Sequence, residues 1–208
     1  MLPDFVLATG PVHLDEDGDD LREDLGAALS KHLGAAVSVR AHASYADLSN
    51  AIERGEAHVA WLPPVLFVRA HDTGTVAAVL RATRDAGGTY QGALFTREGS
   101  AWAEPEDLRG TRVAWVDRDS CAGYLFPRLA LRRRGLDPSV LFAEERFVGS
   151  HAAAVRAVQS GTTDVAATFV QLTRADEPEG ALTLMGWVPY AEASAMRAIL
   201  VSPSIPSD

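Results

Sequence analysis

Cysteine is almost missing from this chain: Cys121 is the only one among 208 residues. A lone thiol closes no internal disulfide, so the usual mark of an oxidising compartment is absent, without a reducing one being implied. Basic charge is short as well, with 19 Lys and Arg against 28 Asp and Glu and a net charge of -9. Such a surface repels a phosphate backbone, which excludes nucleic acid as the expected partner. No window approaches the roughly 18 apolar residues of a membrane span, so no transmembrane segment is expected. The opening MLPDFVLATGPVHLDEDGDD has neither a basic n-region nor an apolar stretch of signal-peptide length. As written, the chain is expected either to stay where it is made or to be the mature part of a longer precursor.

Metal-ligand spacing is missing too. None of His13, His32, His42, His58, His71 and His151 pairs with another His or with Cys121 at zinc spacing. The acidic run from Asp15 to Asp20 carries its glycine, Gly18, in the fourth place of a would-be calcium loop, and Gly26 falls where the twelfth-place Glu belongs. No G-x-S-x-G elbow is present either. Neither a metal nor a cofactor is expected.

What the chain does have is a regular alternation of short apolar runs with helix-period segments, the pattern of an α/β protein. Strands are expected at Phe5 to Thr9, Ala36 to Arg40, His58 to Leu62, Val76 to Ala82, Gln91 to Arg97 and Arg112 to Val116. Further strands are expected at Glu144 to Val148, Asp164 to Thr168, Leu182 to Gly186 and Arg197 to Val201. LREDLGAALSKHLG, apolar at Leu21, Leu25, Ala28 and Leu29 and closed by Gly34, reads as an amphipathic helix with a glycine stop.

The chain also repeats itself. SYADLSNAIERGEAHVAWLPPVL (44 to 66) aligns without a gap on SHAAAVRAVQSGTTDVAATFVQL (150 to 172), with seven of 23 positions identical. These are Ser44/Ser150, Ala46/Ala152, Ala51/Ala157, Gly55/Gly161, Val59/Val165, Ala60/Ala166 and Leu66/Leu172. Each copy reads as a Ser-capped helix, a glycine C-cap and a buried strand. Two similar α/β halves predict two lobes, with a ligand held between them where strand C-termini meet helix N-termini.

In TRVAWVDRDSCAGYLFPRLALRRRG a strand leads through a short loop into a helix beginning near Ser120. Pro127 agrees, since proline is tolerated only in the first turn or two. Ser120 and the amides of Cys121, Ala122 and Gly123 form a natural anion seat at the positive end of that helix, or else Ser120 or Asp119 simply caps it. A helix start also lowers a thiol pKa, so Cys121 with His151 is an alternative nucleophile pair, against the commoner role of Cys as a small core hydrophobe. His151 follows the second repeat's cap and Tyr45 holds the same place in the first. Both are placed to donate a hydrogen bond to an anion, or to pack over a helix end.

The stretches YADLSNAIERGEAHVAWLPP, GTYQGALFTREGSAWAEPEDLRGTRVAWVDRDSCAGYLFPRLALRRRGLDP and FVGSHAAAVRAVQSGTTDVAA resemble the phosphate/phosphite/phosphonate-binding proteins of ABC transporters. The resemblance runs from about residue 5 to 203 and is strongest in DLRGTRVAWVD and the GSH that follows. It implies a two-lobed type 2 periplasmic-binding-protein-like fold with a ligand cleft between the lobes. Lobe one would be residues 1–84 plus 186–208 and lobe two 85–185, with chain crossings near 82–92 and 184–196. It also implies a phosphonate held by two tyrosines, a Ser-Thr-Ser helix start and a histidine, positions that fall here on Tyr45, Tyr90, Ser120 with Cys121 and Ala122, and His151. Thr9 and Thr168, at strand ends, are added as candidate contacts.

Three departures stand out. Cys121 and Ala122 replace two hydroxyl residues, which weakens or removes two side-chain donors, each worth on the order of 1.5 to 3 kcal/mol to a charged ligand. Gln171 stands where aminophosphonate binders place a carboxylate, which disfavours an ammonium-bearing ligand; Glu192 is an alternative carboxylate. No signal or lipobox cysteine is visible. The expectation is a monomeric solute-binding protein that closes on a small oxyanion and feeds an ABC permease, extracytoplasmic if a signal was removed and cytoplasmic otherwise. The alternatives are a cytoplasmic enzyme on the same scaffold, with His151, Cys121 or Asp117 as its acid or base, and a ligand-sensing module.

Overall fold

In a computed structural model of the chain, the described residues are 4–11, 18–80, 89–172, 182–183 and 196–206. They form two compact units, Met1–Val79 and Leu80–Asp208.

The first unit runs β1 (Phe5–Thr9), α1 (Gly18–Leu33), β2 (Val37–Ala41), α2 (Tyr45–Glu53), β3 (Val59–Trp61) and α3 (Pro64–Asp72). Its three strands are parallel in the order β2-β1-β3, with Leu7 opposite both Val39 and Val59. Its core is thin. Ala8, Leu48 and Leu66 are buried and are flanked by Tyr45, Ile52 and Leu62. Leu21, Leu25, Val59 and Trp61 keep much of their surface exposed.

The second unit carries β4 (Thr89–Arg97), a 3-10 turn at Pro105–Leu108, β5 (Arg112–Trp115), a π-type turn at Cys121–Leu125 running into α4 (Phe126–Arg133), and α5 (Pro138–Leu141). It continues with β6 (Glu144–Phe147), α6 (His151–Gln159), β7 (Val165–Leu172), β8 (Leu182–Thr183), β9 (Met196–Val201) and β10 (Ile205–Pro206). Strands β6, β5 and β7 are parallel neighbours, and β4 joins antiparallel to β7. On one face Trp115, Leu94, Leu131 and Val113 are fully buried; on the other, Phe95 and Val116 cluster with Val158 of α6. Burial of this kind stabilises by about 1.5–3 kcal/mol per large apolar side chain, which makes this unit much the better anchored of the two.

The repeat is structural. Both α2 and α6 are nine residues long, and the caps Ser44 and Ser150 accept from the N–H three residues on. Gly55 and Gly161 both adopt a positive φ, at 69° and 72°, which stops the helix and turns the chain into the following strand. Val59 and Val165 then take the same register, beside Leu7 and Val113. The orders β2-β1-β3 and β6-β5-β7 match, so each unit contains one copy of the same parallel trio.

Two expectations change. Residues 76–80 form no strand, and 81–82 lie outside the described residues. Strands β9 and β10, expected to return to lobe one, both pair with β4 of the second unit. There Ser202 exchanges hydrogen bonds with Gly92, its N–H donating to the carbonyl at 2.7 Å and its Oγ accepting from the amide at 2.9 Å. The chain crossings near 82–92 and 184–196, and Glu192, fall largely or wholly outside the described residues.

Candidate functional site

The second unit gathers most of the candidate residues at the C-terminal edge of its parallel trio, the edge where open α/β sheets bind ligands. Strand β5 ends in the loop Asp117–Asp119, which is folded on itself: Asp117 Oδ1 accepts the Asp119 N–H at 2.8 Å, and the Asp117 carbonyl accepts from Ser120 at 3.1 Å. Ser120 caps the helix, its Oγ accepting the Gly123 N–H at 3.0 Å. The first turn is wound wide, with the Leu125 N–H donating to the Ser120 carbonyl. Pro127 has no N–H to offer the carbonyl of Gly123, and that carbonyl instead accepts from Val116 of the incoming strand at 3.1 Å. The proline thus ties the helix mouth to β5.

Two glycines allow the close seating. A Cβ at Gly123 would stand 2.3 Å from Val116 Cγ2. One at Gly92 would stand 2.7 Å from the Ala122 carbonyl oxygen and 2.9 Å from Pro127 Cδ. The mouth therefore rests directly on the backbone of β4, and Ser120, Cys121 and Ala122 are all buried.

Gly92 pairs with Phe169 across the β4–β7 ladder. Phe169 stands between Tyr90 and His151, meeting each edge to face with ring centroids 6.2 Å and 5.0 Å away. Behind them His151 Nδ1 lies 3.0 Å from the hydroxyl of Thr168, whose residue is 1% exposed. Burial alone pushes the His151 pKa down to about 4, so the imidazole is neutral at physiological pH. The arrangement is a capped helix mouth beside a row of aromatic and hydroxyl groups: hydrogen-bond donors with no fixed charge.

Tyr90, Ser120, Cys121, Ala122, His151 and Thr168 thus share one region of the second unit. Thr168, in β7, has its hydroxyl within hydrogen-bond distance of His151 Nδ1. Phe169 was missed. Its signal in the sequence is slight, a bulky aromatic where the first repeat has Pro63. Gln171 lies in β7, but its side chain is outside the described residues. Thr9 and Tyr45 belong to the first unit, Thr9 at the end of β1 and Tyr45 opening α2. The Tyr45 ring presses on the backbone at Gly10, where a Cβ would come within 2.8 Å of Cε1. Among the described residues no group of His, Cys, Asp and Glu gathers as a metal set, and no helix is long and apolar enough to cross a membrane.

A family model described as the periplasmic substrate-binding protein of phosphonate ABC transporters matches residues 10–208. Among solved structures, a binding-protein component of a phosphonate ABC transporter from Pseudomonas aeruginosa superposes with a TM-score of 0.78 at 19% identity, covering 98% of this chain and 66% of that one. PhnD1 from Prochlorococcus marinus, solved with methylphosphonate, gives a TM-score of 0.75 at 18% identity, covering 98% and 74%. The aliphatic sulphonate binding protein SsuA of Escherichia coli gives 0.55 at 16% identity, covering 97% and 61%. The chain therefore spans between about three fifths and three quarters of the length of these structures, and the fold they share is the type 2 periplasmic-binding fold.

Proposed function

Because the chain belongs to the family of periplasmic substrate-binding proteins of phosphonate ABC transporters, we propose that it is a non-enzymatic receptor for a small tetrahedral oxyanion. The observation that carries this reading is the meeting, in one unit, of a Ser-capped helix mouth with the Tyr90–Phe169–His151 row. The oxyanion is received by the amides at the start of the turn, the Ser120 hydroxyl, Tyr90 and His151. Thr9 and Tyr45, at the corresponding edge of the first unit, are proposed as further contacts, and an ABC permease as the partner that takes the ligand. Binding supports this better than catalysis does: a histidine held near pKa 4 by burial is a weak base at neutral pH, and Cys121 is buried.

A thermal-shift and calorimetric screen tests it, with phosphate, phosphite, methylphosphonate, methanesulfonate and small carboxylates, beside the His151→Ala variant. Ligand at 100 times its Kd adds about 2.7 kcal/mol of stability. The expected result is a shift with one or more tetrahedral oxyanions, reduced in the variant. Silence across the panel, or a shift that His151→Ala leaves intact, rejects the reading.

A further inference from the structure

The donor row is notable for its charge. The chain has a single lysine, Lys31, which lies in α1 of the first unit. In the second unit, the arginines nearest the mouth in sequence are engaged elsewhere: Arg118 lies over the Phe147 ring at 4.6 Å, and Arg128 bonds Glu145 and lies over the rings of Trp115 and Tyr124. The loop feeding the mouth brings two carboxylates, Asp117 and Asp119, and the whole chain carries a net charge of -9.

The histidine adds no charge either, and its orientation follows from Thr168. The only hydrogen-bond partner described for the Thr168 hydroxyl is His151 Nδ1. If Nδ1 were protonated, Thr168 would keep a buried O–H donor with no acceptor, which is the costly arrangement. If Thr168 donates, the ring proton sits on Nε2, which has no protein partner among the described residues. Burial is what lowers the ring's pKa, with no contribution from a neighbouring charge among the described residues.

From these donors we infer that the site selects singly charged tetrahedral oxyanions, of the alkylsulfonate or monoprotonated alkylphosphonate kind, over doubly charged ones, and that Thr168 is the positioning residue that fixes His151 as an Nε2–H donor. This rests on the anion-receptor reading above. The energetics follow from charge. Stripping water from an ion costs in proportion to the square of its charge, whereas attraction to neutral donors grows only in proportion to the charge itself. With no lysine or arginine among the described residues of this donor row, the second charge costs more than it returns. A sulfonate, which needs no acceptor for an O–H of its own, fits the donor set directly. The aromatic face of Phe169 suits an apolar substituent.

The test is calorimetric titration of the full chain with methanesulfonate and with methylphosphonate from pH 5.5 to 8.5. Methanesulfonate keeps one charge throughout, so any titration of Asp117, Asp119, Glu145, Cys121, Tyr90 or His151 that affects binding appears in its curve and is divided out. The expected result is that methylphosphonate affinity, relative to methanesulfonate, falls about tenfold for each pH unit above the ligand's second ionisation. A relative affinity that is flat or rises with pH overturns the selectivity while leaving the receptor reading standing. Binding of neither ligand removes both.

The positioning role has its own readout. Nitrogen-15 spectra of the histidine rings should show the Nε2–H tautomer for His151 in the native chain and in Thr168→Ser. Thr168→Val should show a tautomer mixture and bind methanesulfonate about tenfold more weakly. An Nδ1–H tautomer in the native chain, or a Thr168→Val variant that folds and binds unchanged, overturns this role. Should Thr168→Val fail to fold, the native spectrum and Thr168→Ser still decide it.

Discussion

At Gly92 an added methyl group has nowhere to go, because the Ala122 carbonyl, the Ala122 Cα and Pro127 Cδ all lie within 3.0 Å of it. All three belong to backbone or a rigid ring, so relief requires lifting the helix mouth off β4. Gly92→Ala is expected to cost about 1–3 kcal/mol in chemical denaturation and to weaken anion binding more than Ala93→Gly does; equal affinity with the native chain would show that the mouth tolerates displacement. His151 supplies a second test. Its folded pKa of about 4 lies below the ordinary value near 6.5, so its contribution to stability is complete above pH 6.5 and is lost as pH falls toward 4. The loss is on the order of 3 kcal/mol. His151→Gln should flatten that stretch of the stability-pH curve, and an unchanged slope would assign it to other groups. Asp164 acts in a lower window: Arg112 holds its carboxyl below the usual range, so that contribution fades only as pH drops through the acidic carboxylate region. Much of this was readable beforehand. Ser120 and His151 announce themselves as cap and post-cap residues. The Phe169 row and the Thr168–His151 bond did not, since both depend on the register of β7 against β4 and α6, which no local pattern encodes.

Among the elements, the matched helices α2 and α6 make the repeat testable. Ser44→Ala and Ser150→Ala each remove the acceptor for one N–H of the first turn, at about 1 kcal/mol apiece. Ser150→Ala should also loosen His151, the next residue, and so weaken anion binding more than Ser44→Ala, which loosens only the further contact Tyr45. Equal effects of the two on binding would argue against the second unit as the main anion seat. The helix periods, glycine stops and most strands were legible because each is a local signal. The strand expected at 76–82 was not realised over its described part: the run VAAVL has the composition of a strand, yet Val79 and Leu80 are exposed at 77% and 94% and no ladder partner reaches them. The destination of β9 and β10 was likewise hidden, because composition says that a segment is a strand without saying whose edge it joins.

The two units differ in how much they bury, and that difference has a measurable expression. The first closes around Ala8, Leu48, Ala51 and Leu66, while the second buries Trp115, Phe95, Leu94, Leu108 and Leu131 among many others. Native-state hydrogen exchange should therefore show weaker protection in β1–β3 than in β4, β5 and β7; uniform protection would mean that the units open together. One arrangement also governs the order in which the protein can take shape. Strand β4 ends at Arg97, but its partners β7 and β9 begin at Val165 and Met196. On a ribosome adding roughly 5–20 residues per second, β4 emerges several seconds before the first of these neighbours and longer still before the second. The first unit, whose strands all lie within its own 79 residues, can assemble during that interval. The half that carries the proposed oxyanion seat is thus the last part of the molecule to be completed, and any factor that handles the nascent chain meets it as an unfinished sheet.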